Sequence, residues 1–479
     1  MILLIKAAQL VLALVILVTI HEFGHYLFAR IFGVKVEKFY LFFNPWFSLL
    51  KYNPREGTLQ VVAWNKKDGS DRALRTFRVS KPVPVENPDK PTWRDTIYGL
   101  GWLPLGGYCA IAGMVDETHG ADSVSAEPKS WEFESKPAWK RLCVMVAGVV
   151  FNFVLAIAIY IGIAIHWGDS VIPFQNMQEG MDFSKELQDA GFRNGDILQS
   201  LNGKPMDAKD YEMAWDMVQP GARVGILRNG QPMEITITDG LLKSIATKGK
   251  DYAPMTMRFP VVIAKTMPGE GATLAELQKG DRILAVAGDT TPSYTEFLPV
   301  LMAHKGSTVP MLIEREGTTL TKDVPVNDNG KIGIQMVSPL EIFDVETVNY
   351  NFFEAIPRGW QIGTGRLSSY VSSLGLVFTK EGAQSLGGFG TLGDLFPEAW
   401  NWYTFWQITA FLSIILAFMN IIPIPGLDGG HTLFLIVEMI TRRKPSPKFL
   451  ELANTIGFAF LFLLLIYANG NDIYRLLLK

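Results

Sequence analysis

His21-Glu22-Phe23-Gly24-His25 decides how this chain is read, because it lies inside an apolar stretch running from about Ala7 to Phe28. On a helix, residues i and i+4 share a face, so both imidazoles point the same way and can grip one metal ion. An H-E-x-x-H helix is the pattern of a zinc site in which the intervening glutamate, here Glu22, serves as general base on water. Ionisable groups near the middle of a bilayer cost about 2.5–3.5 kcal/mol each, so they mark function there. The competing reading is a helix end whose polar residues meet water at the membrane interface.

The 479 residues are 48% hydrophobic and 19% charged. That balance suits a chain divided between bilayer and water and long enough for several domains. A net charge of −3 gives no reason to expect nucleic acid as a partner. The two cysteines, Cys109 and Cys143, form no C-x-x-C pair and no disulfide framework.

Four stretches approach the roughly 20 apolar residues of a spanning helix. They are Ala7–Phe28, Leu142–Trp167, Tyr403–Ile422 and Leu452–Ala468. A shorter apolar piece, Thr432–Ile440, is expected to lie at the interface. Lysines and arginines crowd the segment between spans one and two, and Arg442, Arg443, Lys444 and Lys448 lie between spans three and four. The positive-inside rule puts both segments in the cytoplasm. Both termini and residues from about 168 to 400 then face the other side, and the histidine motif sits near the cytoplasmic end of span one.

That long outer segment contains a repeat. Gly195-Asp196-Ile197-Leu198 returns about 85 residues later as Gly280-Asp281-Arg282-Ile283-Leu284. Each copy reads as a tight turn, an alternating strand and a glycine turn. A short helical stretch is expected around Tyr211 and around Tyr294, then a hairpin at Leu227-Arg228-Asn229-Gly230 and at Glu314-Arg315-Glu316-Gly317. The order resembles PDZ domains of the bacterial protease type. Such domains add an extended peptide as a strand to an exposed edge; two plain spacers are the alternative.

Two histidines do not complete a catalytic zinc site, which takes three protein ligands and keeps one open position. The candidate for the third lies far along the chain, in Asn420-Ile421-Ile422-Pro423-Ile424-Pro425-Gly426-Leu427-Asp428-Gly429-Gly430-His431. Two prolines break the third span, and glycines follow that permit close backbone approach. Broken backbone at membrane depth is tolerated only where protein or a water cavity covers it. Asp428 stands among these glycines as a candidate ligand. Taken alone it could equally cap the helix that begins near His431.

H-E-F-G-H in the first span with N-x-x-P-x-P-x-L-D-G-G in a later one resembles the site-2 protease family of intramembrane zinc metalloproteases. Four spans with two tandem PDZ-like domains between the second and third resemble its regulator of sigma-E protease subgroup. Leu103-Pro104-Leu105-Gly106-Gly107-Tyr108, Gly148-Val149-Val150-Phe151-Asn152 and Ser385-Leu386-Gly387-Gly388-Phe389-Gly390 are similar to further family segments. The resemblance implies that His21, His25 and Asp428 hold Zn2+ and that Glu22 activates water. It implies that Asn420, Pro423 and Pro425 shape the substrate site. Asn152 and Asn420 are candidates for contact with the substrate and its oxyanion. It further implies a membrane-associated β-hairpin over about Val34–Trp64 that pairs with the substrate, and PDZ domains that gate access.

The expected fold class is therefore a multi-pass α-helical membrane protein with four transmembrane helices, a membrane-associated β-hairpin region and two tandem PDZ-like α+β domains. Residues 1–33 hold the first helix with the zinc motif, 34–140 the cytoplasmic β region and 141–168 the second helix. PDZ-like domains follow at 169–258 and 259–340, a connecting segment at 341–402, and the last two helices at 403–479. The expected substrates are single-pass membrane proteins such as anti-sigma factors or signal-peptide remnants in the bacterial inner membrane. Peptide ligands of the PDZ domains and the lipid bilayer complete the partners. Two departures stand out: Leu41-Phe42-Phe43-Asn44-Pro45-Trp46 replaces the family's Gly-Phe-Gly turn, and a polar insertion runs from about Asn65 to Pro91. The alternatives are a non-enzymatic membrane-anchored PDZ scaffold, an anchored protease working outside the bilayer, and a metal transporter.

Overall fold

The computed structural model describes residues 1–65, 71–85, 87, 89–104, 106–114, 127–206, 216–248, 252–377 and 387–477. They form two compact units, one of residues 1–167 and 350–478, the other of residues 168–349.

Among the described residues of the first unit, four helices are long and apolar enough to cross a membrane. Helix α1 is Ile2–Ile31 and helix α2 is Ala138–His166. The third is Trp402–Ile421, and the fourth is Pro447–Leu477. Each contains most of its expected apolar run and extends past at least one end of it. Leu10, Leu17, Phe405 and Leu412 pack α1 against the third helix. Ala156, Tyr160, Ala410 and Ile414 join α2 to the same helix.

Residues 341–402 are more than a connection. Phe352–Val377 is a helix whose buried positions Ala355, Gly359 and Gly363 recur every four residues. A Cβ on Gly359 or Gly363 would strike Ile161 or Ile157 of α2 at 2.5 and 2.3 Å. Glycine, which reads as a helix breaker in sequence, here lets two helices approach. The glycine-rich stretch that follows is held from the fourth helix. Asp472 accepts from the Gly388 and Thr391 N–H groups at 2.9 and 3.0 Å, and from the Thr391 hydroxyl at 2.6 Å. Ser385 and Leu386 lie outside the described residues.

Between α1 and α2 lies a six-stranded sheet rather than a simple hairpin. Its strands are β1 Val36–Leu41, β2 Leu50–Asn53, β3 Thr58–Asn65, β4 Asp71–Arg78, β5 Ile97–Leu100 and β6 Tyr108–Ile111. The order is β4-β3-β2-β5-β1-β6. Strand β1 is parallel to β5 and antiparallel to β6, so both of its edges are occupied. The hairpin itself is β2–β3, and the polar insertion supplies β4 as an outer strand. The Lys66-Lys67-Asp68-Gly69 turn and Leu105 lie outside the described residues. In place of a glycine turn, Phe42 has a φ of 68° and Trp46 a φ of 69°.

The second unit shows the sequence repeat as a repeated hydrogen-bond pattern. In one copy Ile197–Leu201 pairs with Arg223–Arg228, which forms a hairpin with Gln231–Thr236. In the other Arg282–Val286 pairs with Thr308–Arg315, which forms a hairpin with Thr318–Pro325. Arg228 clasps buried Asp196 through two nitrogens at 2.8 and 2.7 Å, and Arg315 clasps buried Asp281 at 2.7 Å through both. The N–H three residues before each aspartate, of Arg193 or Gln278, donates to it at 2.8 Å. Tyr294–Ala303 is the helix expected in the second copy, and its counterpart around Tyr211 lies outside the described residues. Strands Asp169–Val171 and Glu346–Val348 pair antiparallel, so the unit's entry and exit lie side by side.

Candidate metal centre

Helix α1 carries His21 and His25 one turn apart on a buried face, at 8% and 6% exposure. The rings fit because α1 and α2 meet through glycines. A Cβ on Gly24 would stand 2.7 Å from the Ala147 carbonyl oxygen. A Cβ on Gly148 would stand 2.4 Å from Nε2 of His25 and 2.8 Å from Nδ1 of His21. Real Cβ contacts do not come that close, so glycine is required at both positions by packing alone.

Asp428 reaches the same place from the other end of the chain. After the third helix ends at Ile421, the backbone turns through Pro423 and Pro425 and passes Gly426 with a φ of 90°. It then starts the helix Asp428–Thr441. The expected short piece Thr432–Ile440 is the body of this helix, and Asp428 is its first residue. Gly429 and Gly430 lie against the carbonyl oxygens of Ile422 and Ile424, where a Cβ would stand 2.1 and 2.6 Å away. From the fourth helix, Gly457 sits against Pro425, and Asn454 accepts the Gly426 N–H at 3.3 Å.

The three candidate donor atoms converge. Asp428 Oδ2 lies 3.1 Å from His21 Nε2 and 3.2 Å from His25 Nε2, and the two nitrogens are 3.3 Å apart. Ligands at about 2.0–2.1 Å around a tetrahedral zinc stand about 3.3 Å from one another. Asp428 Oδ2 is buried and makes no hydrogen bond of acceptable geometry. Three donors at this spacing, with one buried oxygen otherwise unsatisfied, fit a metal ion of this kind. Among the described residues this is the one group of three or more such side chains close enough to hold an ion.

The surroundings orient the donors. His25 Nδ1 donates to the Val144 carbonyl at 2.9 Å, which leaves Nε2 as the free donor atom. His21 Nδ1 lies 3.2 Å from Asn152, and Asn420 Nδ2 lies 3.4 Å from His21 Nε2. Glu22 lines the same cavity and takes a hydrogen bond from the backbone N–H of Cys109 in β6. Gly107, just before, allows β6 to approach α1; a Cβ there would stand 2.8 Å from Val18.

The cavity measures about 140 Å³. His21, Glu22, His25, Asp428 and Asn420 all line it. Asn152 does not; it stands behind His21, fully buried in α2. Pro423 and Pro425 are also absent from the lining, where Gly426 and Leu427 take the expected place. His431 turns towards Asn454 at 3.4 Å instead of the centre. Tyr108, Cys109 and Ile111 of β6 line the cavity as well, although none of them was expected at the site. Their signal was available: a strand-forming run directly after a double glycine.

Residues 9–64 and 89–464 match peptidase family M50. The chain belongs to that family. The regulator of sigma-E protease of Escherichia coli is 26% identical to this M50 peptidase over 98% of both chains. The regulator of sigma E protease of Haemophilus influenzae is 25% identical over 97% of this chain and 98% of its own. A Vibrio cholerae protein whose name carries zinc metalloprotease is 27% identical over 97% of this chain and 98% of its own. The gap in the family match, residues 65–88, falls on the polar insertion and its strand β4. Family membership and the four apolar helices identify a membrane-embedded peptidase.

Proposed function

We propose that this M50 peptidase hydrolyses peptide bonds within or near transmembrane segments, with Zn2+ held by His21, His25 and Asp428. The observation that carries the reading is the convergence of three donor atoms at 3.1–3.3 Å inside a buried cavity that Glu22 also lines. When bound, zinc supplies Lewis acidity to a carbonyl and makes water a better nucleophile at neutral pH. Glu22 accepts the proton of the attacking water and delivers one to the leaving amine. The Cys109 N–H holds its carboxylate in line for that transfer. Asn420, beside His21 Nε2, is in reach of the oxyanion.

Strand β6 provides the surface for the substrate. It is the edge of the sheet nearest the cavity, and β1 is shielded on both sides. A transmembrane helix hides its carbonyls in internal hydrogen bonds, so it must unwind to be cut. Pairing the unwound segment with β6 replaces those bonds where water is scarce. The substrates are single-pass membrane proteins, such as anti-sigma factors or signal-peptide remnants. The site faces the cytoplasmic side of a bacterial inner membrane. The two PDZ-like copies on the opposite side bind peptides or exclude bulky outer domains. A non-enzymatic scaffold would leave a buried, closely spaced histidine and carboxylate cluster without a role.

The test joins metal analysis of the purified full-length protein to cleavage of a model transmembrane substrate. Wild type should carry about one zinc and cut, whereas Glu22→Gln should carry zinc and not cut. Full cleavage by Glu22→Gln would sink the mechanism.

A further inference from the structure

The two histidines do not stand alike. His25 has a backbone carbonyl, that of Val144, to receive its Nδ1–H at 2.9 Å. His21 faces a side chain instead, with its Nδ1 3.2 Å from Nδ2 of Asn152. Asn152 is fully buried, and its Oδ1 has no hydrogen-bond partner. Its backbone is pinned in turn, since the Ser413 hydroxyl of the third helix donates to the Asn152 carbonyl at 2.7 Å.

The two ends of a carboxamide have nearly the same shape, so chemistry decides which end meets the ring. If the NH2 end faces Nδ1, that nitrogen must be the acceptor and Nε2 carries the proton. A protonated Nε2 cannot ligate a metal. If the oxygen faces Nδ1, it accepts Nδ1–H, and Nε2 presents a lone pair towards His25 and Asp428. The same turn gives the unpartnered oxygen a donor.

Resting on the zinc reading above, we propose that Asn152 is a positioning residue that fixes the metal-binding tautomer of His21 through its side-chain oxygen. Val144, Gly148 and Asn152 recur every four residues along one face of α2. Together they seat the two rings, giving a carbonyl to His25, empty space to both imidazoles and a carboxamide oxygen to His21. The G-x-x-x-N spacing of the second span follows from the one-turn rise between the two rings on α1. Asn152 touches a ligand and no part of the substrate site, so it acts on the metal.

Equilibrium zinc affinity of the full-length detergent-solubilised protein, measured by competition with a chromophoric chelator, tests this without reference to activity. Asn152→Leu, matched in size but without an acceptor, should bind zinc about 10–100-fold more weakly. Asn152→Ala should do the same and stands in if the leucine variant fails to fold. Asn152→Asp keeps an acceptor oxygen and should restore affinity to within a few-fold of wild type. The visible spectrum of the cobalt-substituted protein should change in the leucine and alanine variants and persist in the aspartate variant. Wild-type affinity in a folded leucine or alanine variant, or equal loss in the aspartate variant, overturns the proposal. Wild-type protein that binds no zinc at all overturns the reading beneath it, and is distinguishable from either result.

Discussion

Gly148 of α2 touches His25 of α1 so closely that an added Cβ would lie 2.4 Å from the ring's Nε2. Alanine is a better helix former than glycine by about 1 kcal/mol, so Gly148→Ala should not harm α2 itself. It should instead push both imidazoles out of register. We expect zinc affinity to fall at least about tenfold with helical content unchanged, read by chelator competition and circular dichroism. Undiminished affinity would mean that the rings have room that the packing denies them.

Strand alternation gives β6 an outward face. The Cys109 N–H reaches Glu22, and the Ile111 N–H points the same way two residues on. Proline is tolerated on an edge strand but donates nothing there. Ile111→Pro should therefore leave zinc content intact and lower kcat/KM for a transmembrane substrate by about tenfold, the worth of one hydrogen bond. Steady-state kinetics beside metal analysis separates the two, and normal kinetics would argue against substrate pairing with β6.

Asp281 offers a pH-dependent handle in the second unit. Burial pushes its carboxyl up, but the Arg315 clasp and the Gln278 N–H outweigh that and hold it below the ordinary carboxylate range. A lowered folded pKa adds stability above the unfolded value near 3.9, and that stability is lost as pH falls through the folded pKa. Asp281→Asn should cost about 2 kcal/mol at pH 7 and reduce the loss of stability below about pH 4. Thermal unfolding of the two proteins between neutral and acid pH checks both parts.

The ladder between Asp169–Val171 and Glu346–Val348 brings both ends of the second unit together. Replacing residues 172–345 with a two-residue Asn-Gly turn should leave that ladder intact as a hairpin. Zinc binding should survive, and a substrate with an untrimmed outer domain should now be cut. Continued refusal of that substrate, with trimmed substrate still cleaved, would remove gating from the role of this segment.

Much of this was legible in the chain because the relevant signals are local. His21, Glu22 and His25 share one turn of one helix, and four apolar runs mark their own helices. Asp428 was legible because prolines and glycines surround it where a span should continue. The Gly-Asp turns announced a repeat, and the Arg228 and Arg315 clasps explain why aspartate belongs in both. What escaped was tertiary. The order of six strands depends on pairings that no single strand encodes, and a parallel partner such as β5 lies far along the chain. The helix Phe352–Val377 escaped because its contact face is made of small residues, which carry little hydrophobic signal. Asn152 was visible as a polar residue in a span, yet only the tertiary structure puts it behind His21 and outside the cavity lining.

The six-stranded sheet has two ends with different obligations. One end, β6, borders the chemistry; the other, β4, lies five strand spacings away, roughly 24 Å at about 4.8 Å each. The segment absent from the family match lies at the remote end, with matched sequence on either side. Growth there lengthens the sheet without shifting the register between β1 and β6. The border of the candidate site is thus set apart from the strand that lies outside the family match, and a change at that outer edge need not be felt beside the metal centre.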